Sequence, residues 1–187
     1  FSYFVLLGGF AGVLYIYRSL FHKSLKQKLP YVVHSVWHSE SITVVWLKPL
    51  QRALSFYAGQ FAFFQFSSNA VDDESHPFSI SSGSDNSDIR IAAKVSGDYT
   101  EKLANLQKGE TVHVEGPYGH FSFTKIRSTR QVWVAGGIGV TPFLAMARSL
   151  PSGYQVTLYY CVRTISQAIF LEELKKLATE KPRFTVI

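Results

Sequence analysis

Seven consecutive residues, His76-Pro77-Phe78-Ser79-Ile80-Ser81-Ser82, combine a histidine, a rigid Pro-Phe step and three serines just after the acidic Asp72, Asp73 and Glu74. An aromatic face can stack on a flat heterocycle, and small hydroxyls can reach phosphate or sugar-alcohol oxygens. Pro77 fixes its own φ and presses His76 into an extended conformation. Taken alone, the stretch could equally be a loop between strands. A second stretch, Ala135-Gly136-Gly137-Ile138-Gly139-Val140-Thr141-Pro142, lies where an apolar run gives way to helical periodicity. Glycines there let the backbone approach a phosphate, and the following helix N-terminus offers unpaired N–H groups and a partial positive charge. It is neither a GxGxxG fingerprint nor a Walker A loop, and a tight turn by itself also favours glycine. A third stretch, Cys161-Val162-Arg163-Thr164, closes the next apolar run. Ligands of open parallel sheets sit at the carboxyl ends of the strands, so Arg163 shares a rim with the glycines. There it could pair with a phosphate or stand solvated. Cys161 is either a core residue or part of a pocket on that rim.

These groups need two kinds of scaffold. Residues 31–38, 41–49, 61–66, 88–95 and 110–116 read as short strands rich in β-branched and aromatic residues, separated by Gly, Ser, Asn and Asp. Such spacing predicts an antiparallel Greek-key barrel, interrupted by one helix over 99–106 with Thr100 as its N-cap. From Gln131 the order becomes strand, helix opened by Thr141 and Pro142, strand, amphipathic helix over 166–180, and strand over 183–187. That is a parallel βαβαβ unit with right-handed crossovers. The fold class is thus α+β followed by α/β, with domains at 29–127 and 128–187.

The 187 residues and a hydrophobic fraction of 47% suffice for a substantial core. Cys161, the single cysteine, excludes a disulfide framework within the chain and a Cys-rich zinc site. The net charge of +6 arises from scattered residues apart from one cluster, so nucleic acid is not the expected partner. That cluster, Arg18, Lys23, Lys26 and Lys28, succeeds an uncharged run over 1–17. Residues 1–28 are expected to be the end of a transmembrane helix and a basic juxtamembrane segment in contact with lipid, the apolar run being a turn short of ~20 residues because its upstream part lies outside the sequence. The positive-inside rule then places the residues after about 18 on the cytoplasmic side of a cell membrane. A buried core helix is the other reading of the run. His22, His34 and His38 lie outside it and are expected at the juxtamembrane or barrel surface.

The ordered set of His76–Ser82, Lys94–Leu103, Gly116–Gly119, Ala135–Pro142 and Tyr159–Thr164 resembles the ferredoxin-NADP reductase superfamily over nearly everything after residue 30. His-Pro-Phe-Ser after an apolar helix is similar to the NADPH oxidase and ferric reductase branch of transmembrane flavocytochromes. The resemblance implies FAD and NADPH or NADH, with Phe78 along the flavin ring, Ser79 as the catalytic hydrogen-bond donor near flavin N5, and His76 facing the pyrophosphate. Pro77, Ile80, Ser81 and Ser82 complete that segment, and Lys94, Gly97 and Thr100 form a second flavin segment. Gly136, Gly137, Ile138, Gly139, Thr141 and Pro142 would bind the dinucleotide, and Cys161, Arg163 and Thr164 its nicotinamide and 2′-phosphate ends. It further implies heme in upstream membrane helices, and dioxygen or ferric iron as the final acceptor. Superoxide production and ferric-chelate reduction share every motif, and a non-enzymatic barrel on a membrane anchor is the rival. The late Cys-Gly-Pro motif and terminal aromatic of the family are not in the sequence.

Overall fold

The structure, a computed structural model, describes residues 2–24, 28–39 and 41–187, without the side chains of Ser2, Val5, Leu6 and residues 18–24. The expectations on Phe1 and Lys26, and on the side chains of Arg18, His22 and Lys23, lie outside the described residues.

Six strands form the first sheet: β1 (Leu29–His38), β2 (Ile42–Pro49), β3 (Phe61–Ser67), β4 (Ser75–Ser79), β5 (Ile89–Lys94) and β6 (Thr111–Tyr118). Their order is β4-β3-β6-β1-β2-β5, antiparallel throughout. Alternation drives the assembly: Phe64 and Phe66 of β3, Val112 and Val114 of β6, and Tyr31 and Val33 of β1 all point into one core. The short helix α2 (Asp98–Lys102) and a 3-10 turn at Leu103–Asn105 close one end, burying Leu103 and Leu106. His34 and His38 are exposed on β1, as expected.

Two expectations are corrected here. The barrel is not closed, because edge strands β4 and β5 touch through a single bridge, Ile80 to Ile91. Proline-bearing β4 is a short edge strand that lacks one N–H donor at Pro77, a position edges tolerate. The second correction concerns α1 (Ser2–Ser24). No helix among the described residues is long and apolar enough to cross a membrane. Its uncharged run ends at Tyr17, and Arg18, Ser19, His22, Lys23 and Ser24 interrupt the apolar character of its last two turns. The buried-core alternative fails as well, since Tyr3, Phe4, Leu7, Phe10 and Val13 through Tyr17 are all exposed.

The second sheet is parallel, in the order β7 (Arg130–Gly136), β8 (Gln155–Cys161), β9 (Phe184–Val186). Helices α3 (Thr141–Arg148) and α4 (Leu171–Glu180) connect them, as the periodicity requires. They cover the face that carries Trp133, Ala135, Val156 and Leu158, while Val132, Val134 and Cys161 are exposed. Ile42, Val44, Ala58 and Ala92 of the first unit belong to the same buried cluster as Trp133, Leu144 and Met146 of the second. The two units therefore share a core.

Candidate flavin and nucleotide site

Among the described residues only the Ile80–Ile91 bridge pairs the chain at β4 with β5, and α2 reaches β4 through Tyr99. The open seam leaves two strand edges outside the ladder, where backbone groups remain available to a ligand. His76 and Phe78 lie on one side of β4, while Pro77 and Ser79 face the other. His76 is held twice: its Nε2 lies 3.0 Å from Glu74 Oε2, and its ring stacks on Tyr99 of α2 with centroids 3.6 Å apart. Tyr99 is a residue that sequence reasoning misses. Burial first, then the carboxylates of Glu74, Asp72 and Asp73, push its phenol up to about 12. Phe78 is half-buried and turns towards the barrel core, its ring 6.1 Å from that of Phe64. Ser79 is half-buried, and its hydroxyl has no hydrogen-bond partner among the described residues.

The other hydroxyls of the stretch behave differently from the expectation. Ser81 is fully buried, and its hydroxyl donates to the Arg90 carbonyl at 3.0 Å and accepts from Arg90 Nε at 2.9 Å. Ser82 is buried as well, its Oγ accepting from the Arg90 N–H. The Ser81 hydroxyl is thereby committed to Arg90 and is not available to a phosphate, whereas Ser82 uses only an acceptor site and is withheld by its burial. The Ile80 side chain is fully buried in the core and can offer only backbone.

Across the seam, Lys94 is exposed at the end of β5, and Gly97 has open space where a side chain would stand. Thr100 is not the helix cap, a place that falls to Gly97. It sits inside α2, where its hydroxyl donates to Gly97 O at 2.9 Å and accepts from Ser96 N–H at 2.9 Å. It thereby fixes the turn that leads into the helix.

In the second unit β7 runs into a 3-10 turn at Gly137–Val140, where Gly137 takes φ 49°, a conformation that favours glycine. That turn packs against β5, so the glycines adjoin the first unit. Thr141 is the first residue of α3 rather than its cap. Its hydroxyl donates to Ile138 O at 3.1 Å, and Pro142 comes next within the first turn. Gly136 pairs in register with Cys161, which puts the glycine turn and Cys161-Val162-Arg163-Thr164 on one rim. Cys161, Arg163 and Thr164 are exposed there, so the core reading of Cys161 does not hold.

One cluster escapes a reading of the sequence. Arg90 of β5, Arg148 of α3 and Glu173 of α4 meet between the units, with Arg90 Nη1 2.9 Å from Glu173 Oε2 and Arg148 paired to Glu173 Oε1. Burial, then the Arg90 charge, push the Arg148 guanidinium down to about 10, against the pull of Glu173. An arginine between isoleucines in Ile89-Arg90-Ile91 is the available signal, since buried arginines are paired.

The residues present fit a bound flavin dinucleotide. They provide an open strand edge, a serine without a partner among the described residues, a stacked His76–Tyr99 pair, an exposed lysine at the end of β5, and a glycine with room for a close backbone approach.

Comparison with known proteins agrees. Residues 26–122, over half of the chain, match the family described as FAD-binding domain, and residues 133–187 match the oxidoreductase NAD-binding domain. A probable dihydroorotate dehydrogenase B (NAD(+)) electron transfer subunit of Methanopyrus kandleri is 34% identical over 119 residues, covering 64% of this chain and 42% of that protein. Ferric reduction oxidase 8, mitochondrial, of Arabidopsis thaliana is 39% identical over 107 residues, 48% of this chain and 15% of that protein. The chain thus spans less than half the length of either relative. The FAD/NAD-binding domain of a nitric oxide dioxygenase from Vibrio cholerae superposes with a TM-score of 0.73 at 23% identity, over 85% of this chain and 72% of that one. Ferredoxin-NADP+ reductase from Plasmodium falciparum gives 0.73 at 17% identity, over 87% and 71%. At such identities the likeness is one of fold. The matched families, their order along the chain and the shared fold agree, and the chain belongs to the FAD-binding domain family, followed by an oxidoreductase NAD-binding domain.

Proposed function

We propose that this chain is the dehydrogenase region of a membrane flavocytochrome that oxidises NADPH and delivers electrons singly to dioxygen by way of heme held elsewhere in the protein. Two dioxygen molecules take one electron each, giving two superoxide ions, NADP+ and a proton. FAD, when bound, supplies the step between a two-electron donor and one-electron acceptors. The observation that carries the reading is the open seam between β4 and β5, with His76, Phe78 and Ser79 on one side, Lys94 and Gly97 on the other, and the glycine turn packed against β5.

Each group has a task in this reading. The Gly97 backbone and Lys94 face the pyrophosphate, with His76 and Tyr99 as a stacked wall beside it. The free hydroxyl of Ser79 orients the reactive edge of the flavin, and Phe78 supports the ring. Gly136, Gly137 and Gly139 bring backbone N–H groups to the dinucleotide phosphates at the start of α3. Arg163 pairs with the 2′-phosphate, Thr164 lies beside it, and exposed Cys161 borders the nicotinamide. No acid-base residue is needed, since alignment is the protein's main contribution.

The exposed apolar side chains of α1 and the basic residues beyond it hold the chain at the cytoplasmic side of a cell membrane. A second reading, ferric-chelate reductase, is favoured by the 39% identity to the ferric reduction oxidase.

NADPH added without oxygen to the flavin-loaded full-length protein should bleach its yellow absorption. Admitted oxygen should then yield superoxide, read by a reporter sensitive to superoxide dismutase. A protein that stays yellow would support the binding-module rival, and one that reduces ferric chelate but makes no superoxide would support the second reading.

A further inference from the structure

Glu173 lies in the first turn of α4, and its two oxygens serve the two units at once. Arg90 of β5 reaches them with Nη1 at 2.9 Å and Nη2 at 3.3 Å, and Arg148 of α3 donates to Oε1. The Arg90 side chain is only 7% exposed and stands 5.5 Å over the Phe170 ring. Both guanidiniums also grip Ser81, Arg90 through the hydroxyl and Arg148 through the backbone carbonyl. Ser81 is two residues along the chain from Ser79. One carboxylate therefore ties the nucleotide unit to the strand that carries the flavin-facing serine.

We infer that Glu173 is a positioning residue for hydride transfer, fixing the angle between the two units and hence the approach of the nicotinamide to the flavin. The inference rests on the oxidoreductase reading above. Without the carboxylate the buried Arg90 and the half-buried Arg148 would face each other with no counter-charge between them, an unfavourable arrangement. They have somewhere to go, because a polar cavity of about 350 Å³ lined by Trp46, Ser82, Asp88, Arg90 and Arg148 adjoins the cluster. Swinging the guanidiniums into it releases α4 from β5 and Ser81 from both. Near-attack alignment tolerates little of this, since a displacement of ~1 Å can cost on the order of a hundredfold in rate.

The test is Glu173→Gln in the full-length protein. Flavin occupancy and NADP+ affinity should stay as in the parent, while the rate of flavin reduction by NADPH falls roughly tenfold to a hundredfold. Glu173→Asp, which keeps the charge on a shorter arm, should recover part of that loss. A second readout needs no turnover: spin labels at Cys161 and at an Asn105→Cys substitution report the distance between the units in flavin-free protein. Its distribution should broaden in Glu173→Gln. If Glu173→Gln does not fold, Arg90→Lys, which keeps the charge but not the two-pronged pairing, should show the same direction in both readouts. Unchanged rate and distance distribution would overturn the inference, as would flavin loss in proportion to the loss of rate, the mark of a merely structural prop. If NADPH fails to reduce the parent protein, the oxidoreductase reading fails, and the spin-label distances alone then decide whether Glu173 fixes the units.

Discussion

Three serines within four positions look interchangeable in sequence and are not in structure. Ser81 and Ser82 serve Arg90, one fully buried and the other nearly so, whereas the Ser79 hydroxyl stands without a protein partner among the described residues at the edge of the seam. The end of β4 at Ser79 is the cause, since Ser79 and Ser81 share a parity that alternation alone cannot separate. Ser79 is the last residue of β4 and pairs with Phe61, while beyond Ile80 the chain runs beside β5, with the Ser81 N–H donating to the Arg90 carbonyl at 2.7 Å. Ser79→Ala should therefore leave FAD bound and slow its reduction several-fold to a hundredfold, because one hydrogen bond worth ~0.5 to 1.5 kcal/mol is lost and the flavin edge is less well held. Ser81→Ala should do the opposite. It strips a buried guanidinium of an acceptor and should cost about 1 to 3 kcal/mol of stability in denaturant titration, with little direct effect on flavin chemistry. If both substitutions affect only stability, Ser79 is not a flavin contact.

Among the elements, strands β1, β2, β3, β5 and β6 were legible because short runs of β-branched and aromatic residues between Gly, Ser, Asn and Asp are a local signal. So was the βαβαβ unit, in which Pro142 and the switch in period mark the start of α3. β4 was harder to see: its sequence Ser-His-Pro-Phe-Ser is polar, carries a proline, and leans on β3 along only one edge. Nor could sequence show that Thr100 would turn its hydroxyl back onto Gly97 and Ser96, since a threonine three residues ahead of a leucine looks the same in either place. The cluster of Arg90, Arg148 and Glu173 joins residues up to 83 positions apart, and no local pattern encodes such a meeting. Gly59 is another long-range case. It has φ +102°, and a Cβ there would stand 2.1 Å from the Phe121 carbonyl oxygen and 2.5 Å from Met146 of α3. Gly59→Ala should lose about 2 kcal/mol or more, from the left-handed backbone together with overpacking between the units. A midpoint in urea equal to that of the parent protein would show that the Phe121 loop and α3 yield freely.

At the scale of the whole molecule, the two units unfold as one if their common core is what holds them. Ile42, Val44 and Ala92 of the barrel bury against Trp133, Val140 and Leu144, so neither unit can open without exposing the other. α1 is the opposite case, a helix whose large apolar side chains, Tyr3 and Phe4 among them, are exposed over most of its length. Solvent-exposed apolar surface of that extent adds little to folding stability and implies contact with something else. Deleting residues 1–27 should leave a single thermal transition within about 2 °C of the parent protein, because the shared core is untouched. The same deletion should abolish flotation with vesicles containing anionic lipid, since it removes the apolar side chains along with Arg18, Lys23 and Lys26. A truncated chain that still floats would assign membrane attachment to another surface. A fall of many degrees, or a melt split into two steps, would mean that α1 packs on the body or that the interface is too weak to make the two units cooperate.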